Sequence, residues 1–394
     1  MRRGFVVGAL LAVAVMGVTS CTSGESPAEE AEPKSTSTKE EPPPEPVQMV
    51  VTPADQAADV PPGSPITVAA VAGKVTEVIL TNDEGEPVAG ALSPDGTTWQ
   101  TTEPLGFGRT YSATATGVGT DEKPVTVTST FTTATPRVKS DLSMSPLDGD
   151  TVGVGQPLAF YFEVPITDKV AAEQAIQITT TPAVEGAFYW YDDEQVHWRP
   201  KEYWPAGTKI TINAEIYGKH FGDGVFGDDS RLANITVGDA ITMVADGATH
   251  QMTVTVNGAV ARTIPISMGK PGNETPAGTY VVMSEHTNYT MDSSTYGVPV
   301  DSNDGYQTHV EVASRMSNSG IFYHSAPWSV GDQGSDNVSH GCINMSTENA
   351  RWLQEISRKG DVIAVQNSGG EPLPHWDGLG DWQIPWEEWV TGNR

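Results

Sequence analysis

Met252-Thr253-Val254-Thr255-Val256-Asn257-Gly258 alternates apolar and polar side chains and then reaches Asn-Gly. Successive side chains of an extended segment point to opposite faces, so Met252, Val254 and Val256 share one face. Asn-Gly accepts the positive φ angles of a two-residue hairpin turn. The stretch therefore predicts a hairpin, with residues 259–266 pairing back. Upstream, Ala240-Ile241-Thr242-Met243-Val244-Ala245 reads as a further strand that turns at Asp246-Gly247. Downstream, residues 278–284, 308–313, Gly320-Ile321-Phe322-Tyr323-His324 and Asp361-Val362-Ile363-Ala364-Val365 read as strands. Only residues 348–359 have helical character here, with Thr347 as the expected cap and Gly360 as the stop. Residues 238–366 thus form a β-rich domain with one main helix.

The same pattern extends toward the N-terminus. Val75-Thr76-Glu77-Val78-Ile79-Leu80, Tyr111-Ser112-Ala113-Thr114-Ala115-Thr116 and Val125-Thr126-Val127-Thr128 are separated by turn clusters such as Pro94-Asp95-Gly96. They predict one β-sandwich over 49–138. Leu158-Ala159-Phe160-Tyr161-Phe162, Phe188-Tyr189-Trp190-Tyr191 and Lys209-Ile210-Thr211-Ile212-Asn213 predict a second over 139–237. A weak repeat links the two. Trp99 precedes Gly108 by the spacing at which Trp198 precedes Gly207, and Tyr111 and Ala113 fall where Ile210 and Ile212 fall. A buried Trp, a Gly turn and a core strand in each half suggest tandem immunoglobulin-like domains. Residues 367–394 carry Trp376, Trp382, Trp386 and Trp389 and are expected to pack on the domain over 238–366, since aromatics at that density bury against a neighbour. A sugar-stacking surface is the functional alternative.

The chain has 394 residues, 40 glycines, 29 prolines and a formal net charge of −28. Phosphate binding needs a basic surface, so nucleic acid is not an expected partner. Residues 1–20 open with Arg2 and Arg3. Their apolar run is short for a membrane span, and they end Val18-Thr19-Ser20-Cys21. This resembles a bacterial lipobox, with Cys21 as the lipidation site and a lipid-anchored, extracytoplasmic location. A plain secretory signal is the alternative. Residues 21–48 are rich in Ser, Pro and Glu, which cannot bury enough surface to offset ordering entropy, so they read as a disordered tether. With Cys21 assigned to export, no cysteine pair remains for a disulfide.

Cys342 is the other of the two cysteines. It lies in Ser339-His340-Gly341-Cys342-Ile343-Asn344, downstream of His324-Ser325. A buried cysteine with no chemical role is a common fate. Here a glycine turn precedes the thiol, and such a turn can aim successive N–H groups at one spot, where an oxyanion would develop. Losing one such donor typically costs ~10²–10³ in rate. His324, at a predicted strand end, is the candidate general base and later acid. Ser325 is placed to fix its tautomer through a carbonyl or hydroxyl. His340 adjoins the nucleophile's turn and has a structural role on this reading. A zinc set of His324, His340 and Cys342 is a competing chemistry that would waste the turn's backbone donors. Isolated acidic turns such as Asp148-Gly149-Asp150 read as solvated. Residues 291–303 are long and polar enough for a mobile lid.

The run from Ser339 to Asn344, with His324 upstream, resembles the signature of L,D-transpeptidases with a YkuD-type catalytic domain. Ser267-Met268-Gly269-Lys270 and Thr275-Pro276-Ala277-Gly278 are similar to an early segment of that family. The likeness covers about 238–394, and the two sandwiches, lipobox and Trp-rich tail resemble the actinobacterial and mycobacterial members. The resemblance implies that Cys342 attacks a peptidoglycan tetrapeptide stem and releases D-alanine. The diaminopimelate amine of a second stem then resolves the acyl-enzyme, giving 3-3 cross-links. It implies carbapenem β-lactams as covalent inhibitors. Thiol acyl transfer itself needs no cofactor, and no catalytic metal is expected. It also implies substrate contacts from Tyr306, Met291, Tyr296, Ser339, Asn344 and Trp328. Hydrolysis or D-amino-acid exchange by the same acyl-enzyme, and a non-catalytic wall-binding lipoprotein, are the alternatives. Sortase chemistry pairs cysteine with a downstream arginine in a motif absent here.

Overall fold

Asn257 and Gly258 both adopt positive φ, 49° and 83°, and close the predicted hairpin between Gln251–Val256 and Ala259–Pro265. The computed structural model describes residues 44–302 and 305–394. The leader, Cys21 and the tether as far as residue 43 lie outside the described residues, as do position 303, the last of the expected lid, and position 304.

The hairpin belongs to a five-stranded sheet in the order Ala259–Pro265, Gln251–Val256, Ile241–Asp246, Val362–Gln366, Gly278–Val281. A second sheet runs Ser284–Asp292, Gln307–Arg315, Phe322–Ser325, Ile343–Met345. The expected single strand over 278–284 is therefore two. The chain leaves the first sheet after Val281 and enters the second at Ser284. One core joins the inner faces, including Met243, Met252, Val254, Tyr280, Tyr323, Ile343 and Leu353.

The helix spans Thr347–Ile356, and its N-cap is Ser346, whose hydroxyl accepts from Asn349 N. The expected cap, Thr347, is one residue late: Ser346 keeps extended backbone while Thr347 already turns. Thr347–Ile356 is the one α-helix among the described residues of 238–366, as expected; Lys169–Ala175, capped by Asp168, and the short Trp386–Trp389 lie outside that domain. Among the described residues no helix is long and apolar enough to cross a membrane.

Two sandwiches precede this domain. The first packs a sheet containing Thr67–Val71 and Thr98–Thr101 on one formed by Gly73–Asn82, Thr110–Gly119 and Pro124–Thr132. Trp99, Tyr111, Ala113 and Ala115 are in its core. The second packs Gly186–Trp190, Gln195–Pro200, Leu158–Phe162 and Leu142–Ser145 against a sheet containing Ile176–Thr181, Lys209–Ala214 and Arg231–Val237. The repeat has a packing content beyond the two tryptophans. A Cβ at Gly90 would meet the Trp99 ring at 2.0 Å, and one at Gly186 would meet the Trp198 ring at the same distance. Each indole thus lies flat on a bare backbone.

The Trp-rich tail departs from expectation. Its first part does touch the catalytic domain: Leu373 joins that core, and Gln383 Nε2 donates to Thr279 O at 2.5 Å. Its end docks on the second sandwich instead. Trp389 is fully buried, stacks on Tyr189 and donates Nε1 to Ala187 O at 2.8 Å. The Arg199 guanidinium lies over the rings of Trp382, Trp386 and Trp389. Buried His197 Nδ1 meets Asp381 Oδ1 at 2.6 Å. The aromatics thus close over one arginine of the sandwich. Trp376 is the exception and stays exposed.

Candidate active site

Phe322–Ser325 and Ile343–Met345 are parallel neighbours, with Tyr323 opposite Ile343 and His324 opposite Asn344. Period two then sorts the side chains. Tyr323, Ile343 and Met345 enter the main core, whereas Phe322 and Cys342 join a separate small cluster with Met291, Val310 and Ala313. His324, Cys342 and Asn344 come out on this second face. They line one cavity of about 360 Å³ with Met291, Tyr306, Thr308, Trp328, Ser329, Asp332, Val338, Ser339 and His340.

The cysteine turn is braced from far away in sequence. Gly341 adopts φ +122°, in the region that favours glycine. Its carbonyl accepts from Thr275 Oγ1 at 2.7 Å, and its N–H donates to Ser339 Oγ at 3.1 Å. Ser339 Oγ in turn donates to Cys342 O at 2.6 Å. Ser267 and Asn344 exchange main-chain bonds, and Lys270 N donates to Ser339 O. The early segment 267–278 is therefore the second wall of the turn. The expected cradle of amides is changed in one respect: the Gly341 N–H is already committed to Ser339.

His324 is buried, and its Nδ1 pairs with Ser325 O at 3.0 Å. That carbonyl can only accept, so it holds the proton on Nδ1 and leaves Nε2 as the free lone pair. The Ser325 hydroxyl plays no part in this and accepts from Glu311 N and Val312 N. The Cys342 thiol donates to Gly320 O at 3.5 Å. Among the described residues no hydrogen bond joins it to His324, although both groups face the one cavity. Burial sets both protonation states. It pushes the thiol up to about 11, against smaller opposing effects of the Phe322 N–H, the Tyr306 hydroxyl and Arg315. It pushes the imidazole down to about 4, against the Ser325 carbonyl. At neutral pH both groups are uncharged. Burial therefore disfavours a thiolate–imidazolium pair in the resting site.

The remaining expected residues separate into groups. Tyr296 and Tyr306 share a hydroxyl–hydroxyl bond of 2.5 Å, and burial raises both phenols, keeping them protonated. Tyr296 also packs at Gly320, where a Cβ would meet its ring at 2.7 Å. Met291 is no loop residue. It is the penultimate residue of the strand Ser284–Asp292, opposite Thr308, and Ser293–Tyr296 continues as a 3-10 turn, so the first part of the expected lid is regular structure. Trp328 is exposed beside the His324 ring. Asn344 Nδ2 donates to Ser329 Oγ at 3.1 Å, which braces the Pro327–Ser329 turn. His340 Nε2 meets Lys270 Nζ at 3.0 Å, and its ring lies near Tyr306. His324, His340 and Cys342 do not converge as a metal set: among the described residues no three His, Cys, Asp or Glu side chains do. Sequence reasoning did not single out Thr308, Ser329, Asp332, Val338 or the Gly320 carbonyl. They reach the site through strand pairing and turns, and only Asp332 carries a residue-type signal.

Residues 241–365 match the L,D-transpeptidase catalytic domain of YkuD type, and residues 57–220, across both sandwiches, match the bacterial Ig domain family. The fold and site are thus those of a transpeptidase enzyme carried behind Ig-like modules. The sequence is 43% identical to L,D-transpeptidase 2 of Mycobacterium tuberculosis (strain CDC 1551 / Oshkosh), over 100% of this chain and 96% of that protein. It is 38% identical to L,D-transpeptidase 5 of Mycobacterium tuberculosis (strain ATCC 25618 / H37Rv), over 89% of this chain and 77% of the relative. The structure of LD transpeptidase LdtMt1 in complex with imipenem superposes with a TM-score of 0.50 at 40% identity, covering 57% of this chain and 97% of that one. The chain belongs to the L,D-transpeptidase family.

Proposed function

We propose that this enzyme cross-links peptidoglycan outside the plasma membrane, lipid-anchored through Cys21 and held off the surface by its tether. The observation that carries the catalytic reading is the shared cavity of a buried neutral thiol and a buried neutral imidazole whose Nδ1 is pinned by Ser325 O. The donor is a tetrapeptide stem. Its carbonyl carbon, between diaminopimelate and the terminal D-alanine, is attacked by Cys342 Sγ while His324 Nε2 takes the thiol proton. The C–N bond breaks, the imidazolium protonates the departing amine, and a thioester remains. The side-chain amine of a second stem then displaces the sulfur, which regains its proton through His324. Main-chain N–H groups of the Cys342 turn and the Tyr306 hydroxyl are the candidate donors to the oxyanion. Met291, Tyr296, Trp328, Ser339 and Asn344 shape the groove. The domains divide at about 138 and 237, and the tail from 367 staples the catalytic domain to the second sandwich.

Incubation with imipenem followed by intact-mass measurement tests this. One covalent adduct is expected on the wild type, none on Cys342→Ala, and adduct formation slowed at least ~10²-fold on His324→Ala, the scale of general-base catalysis. A wild type that gains no mass removes the catalytic reading. Products from a tetrapeptide stem decide the acceptor: dimer supports cross-linking, and tripeptide alone replaces it with hydrolysis.

A further inference from the structure

Asp332 lines the reactive cavity, and no ion pair is formed by it among the described residues. Its main chain is fixed: Asp332 N donates to Ser329 O at 3.0 Å, and its carbonyl accepts from Ser335 N and Asp336 N at 3.0 and 2.9 Å. It is therefore held by the same Ser329 turn that Asn344 braces. Its carboxylate has no hydrogen bond or ion pair among the described residues, unlike Asp292, Asp377 and Asp381, which all have side-chain partners. Among the described residues Asp332 is the one acidic residue lining the cavity, and it is half-buried there. Burial favours the uncharged forms of the thiol and imidazole that share this cavity. A fixed charge in a partly desolvated wall sorts incoming groups by sign.

We propose that Asp332 is the subsite for the cationic amine of the second substrate, an ammonium-bearing stem peptide, and so favours transfer to an amine over transfer to water. This rests on the transpeptidase reading of the same site. An alkyl ammonium is protonated in water, and the carboxylate offers it a counter-ion beside the thioester. Attack needs its lone pair. One ammonium proton passes through His324 Nε2 to the departing Cys342 sulfur. A second leaves to solvent, and the third stays on the amide nitrogen. The C–N bond forms as the C–S bond breaks. Water carries no charge, so Asp332 gives hydrolysis no comparable help.

The test separates donor from acceptor. Wild type and Asp332→Asn are given a tetrapeptide stem as donor and a tripeptide stem ending in diaminopimelate as acceptor. Asp332→Asn is expected to raise the acceptor KM about tenfold, a scale set by one ion pair near a surface. It shifts product from dimer toward tripeptide and leaves the rate of imipenem adduct formation within about twofold. Added salt raises the acceptor KM of the wild type and not of the variant, because a partly exposed pair is screened. An unchanged acceptor KM in Asp332→Asn, with dimer still formed, overturns the subsite and spares the transpeptidase reading. A wild type that acylates but forms no dimer with any acceptor overturns the transpeptidase reading, and the subsite falls with it.

Discussion

Burial sets the protonation states of Cys342 and His324, the candidate nucleophile and base. A thiol raised to about 11 and an imidazole lowered to about 4 are both neutral across the middle of the pH range. Alkylation of Cys342 by iodoacetamide, which needs thiolate, should therefore rise with pH without a plateau until about 11. A plateau near neutrality would mean that an ion pair forms in the resting enzyme. His324 adds a stability effect of defined sign. Its folded value lies below the unfolded one, so the unfolded chain binds a proton first as pH falls from about 6.5 toward 4. Stability should decline in that window, and His324→Gln should lose that share of the decline in thermal melts. At this scale the sequence was informative because Cys342 and His324 are rare residue types in a recognisable spacing. The Gly320 carbonyl under the thiol and the unpaired Asp332 were not legible, since a main-chain acceptor has no residue signature and a single aspartate is usually solvated.

Elements position these residues through neighbours distant in sequence. Gly320, whose carbonyl accepts the thiol, follows Ser319, and Ser319 is clamped by a tail residue. Asp377 Oδ1 accepts from Ser319 N at 2.8 Å, and Oδ2 accepts from Ser319 Oγ at 2.5 Å. Asp377→Ala removes both bonds at exposed Ser319, whose hydroxyl keeps Ser317 Oγ as a partner, and should cost about 1 kcal/mol. It should also slow imipenem adduct formation by loosening the Gly320 carbonyl and the Tyr296 ring packed there. Asp377→Asn keeps the Oδ1 acceptor and should recover most of both, read as melting temperature and adduct rate. The strands were legible from period-two alternation, and the hairpin from Asn257-Gly258. The helix start was misplaced by one residue because Ser346 and Thr347 are both cap formers and only backbone conformation separates them. The break between the strands ending at Val281 and starting at Ser284 was hidden in continuous β-favouring sequence.

Across the whole molecule, the tail is the part that tertiary contacts redirected. Trp382, Trp386 and Trp389 collect around Arg199, and Trp389 fills a closed site against Tyr189. Trp389→Ala should lower stability by about 3–5 kcal/mol, the cost of emptying a buried indole site, measured as a shift of the denaturant midpoint. A shift no larger than that of the exposed Trp376→Ala would show that the clamp carries little energy. The amino-acid sequence by itself determined the β class, the hairpin, the paired Trp sandwiches and the candidates for nucleophile and base. Those depend on local periodicity, turn stereochemistry and side-chain type, which each residue brings wherever it lies. Only the tertiary structure decided that the tail closes on the second sandwich, that segment 267–278 walls the cysteine turn, and that both reacting groups are uncharged. These follow from which surfaces meet and how completely they exclude water, and no local stretch of chain contains that information.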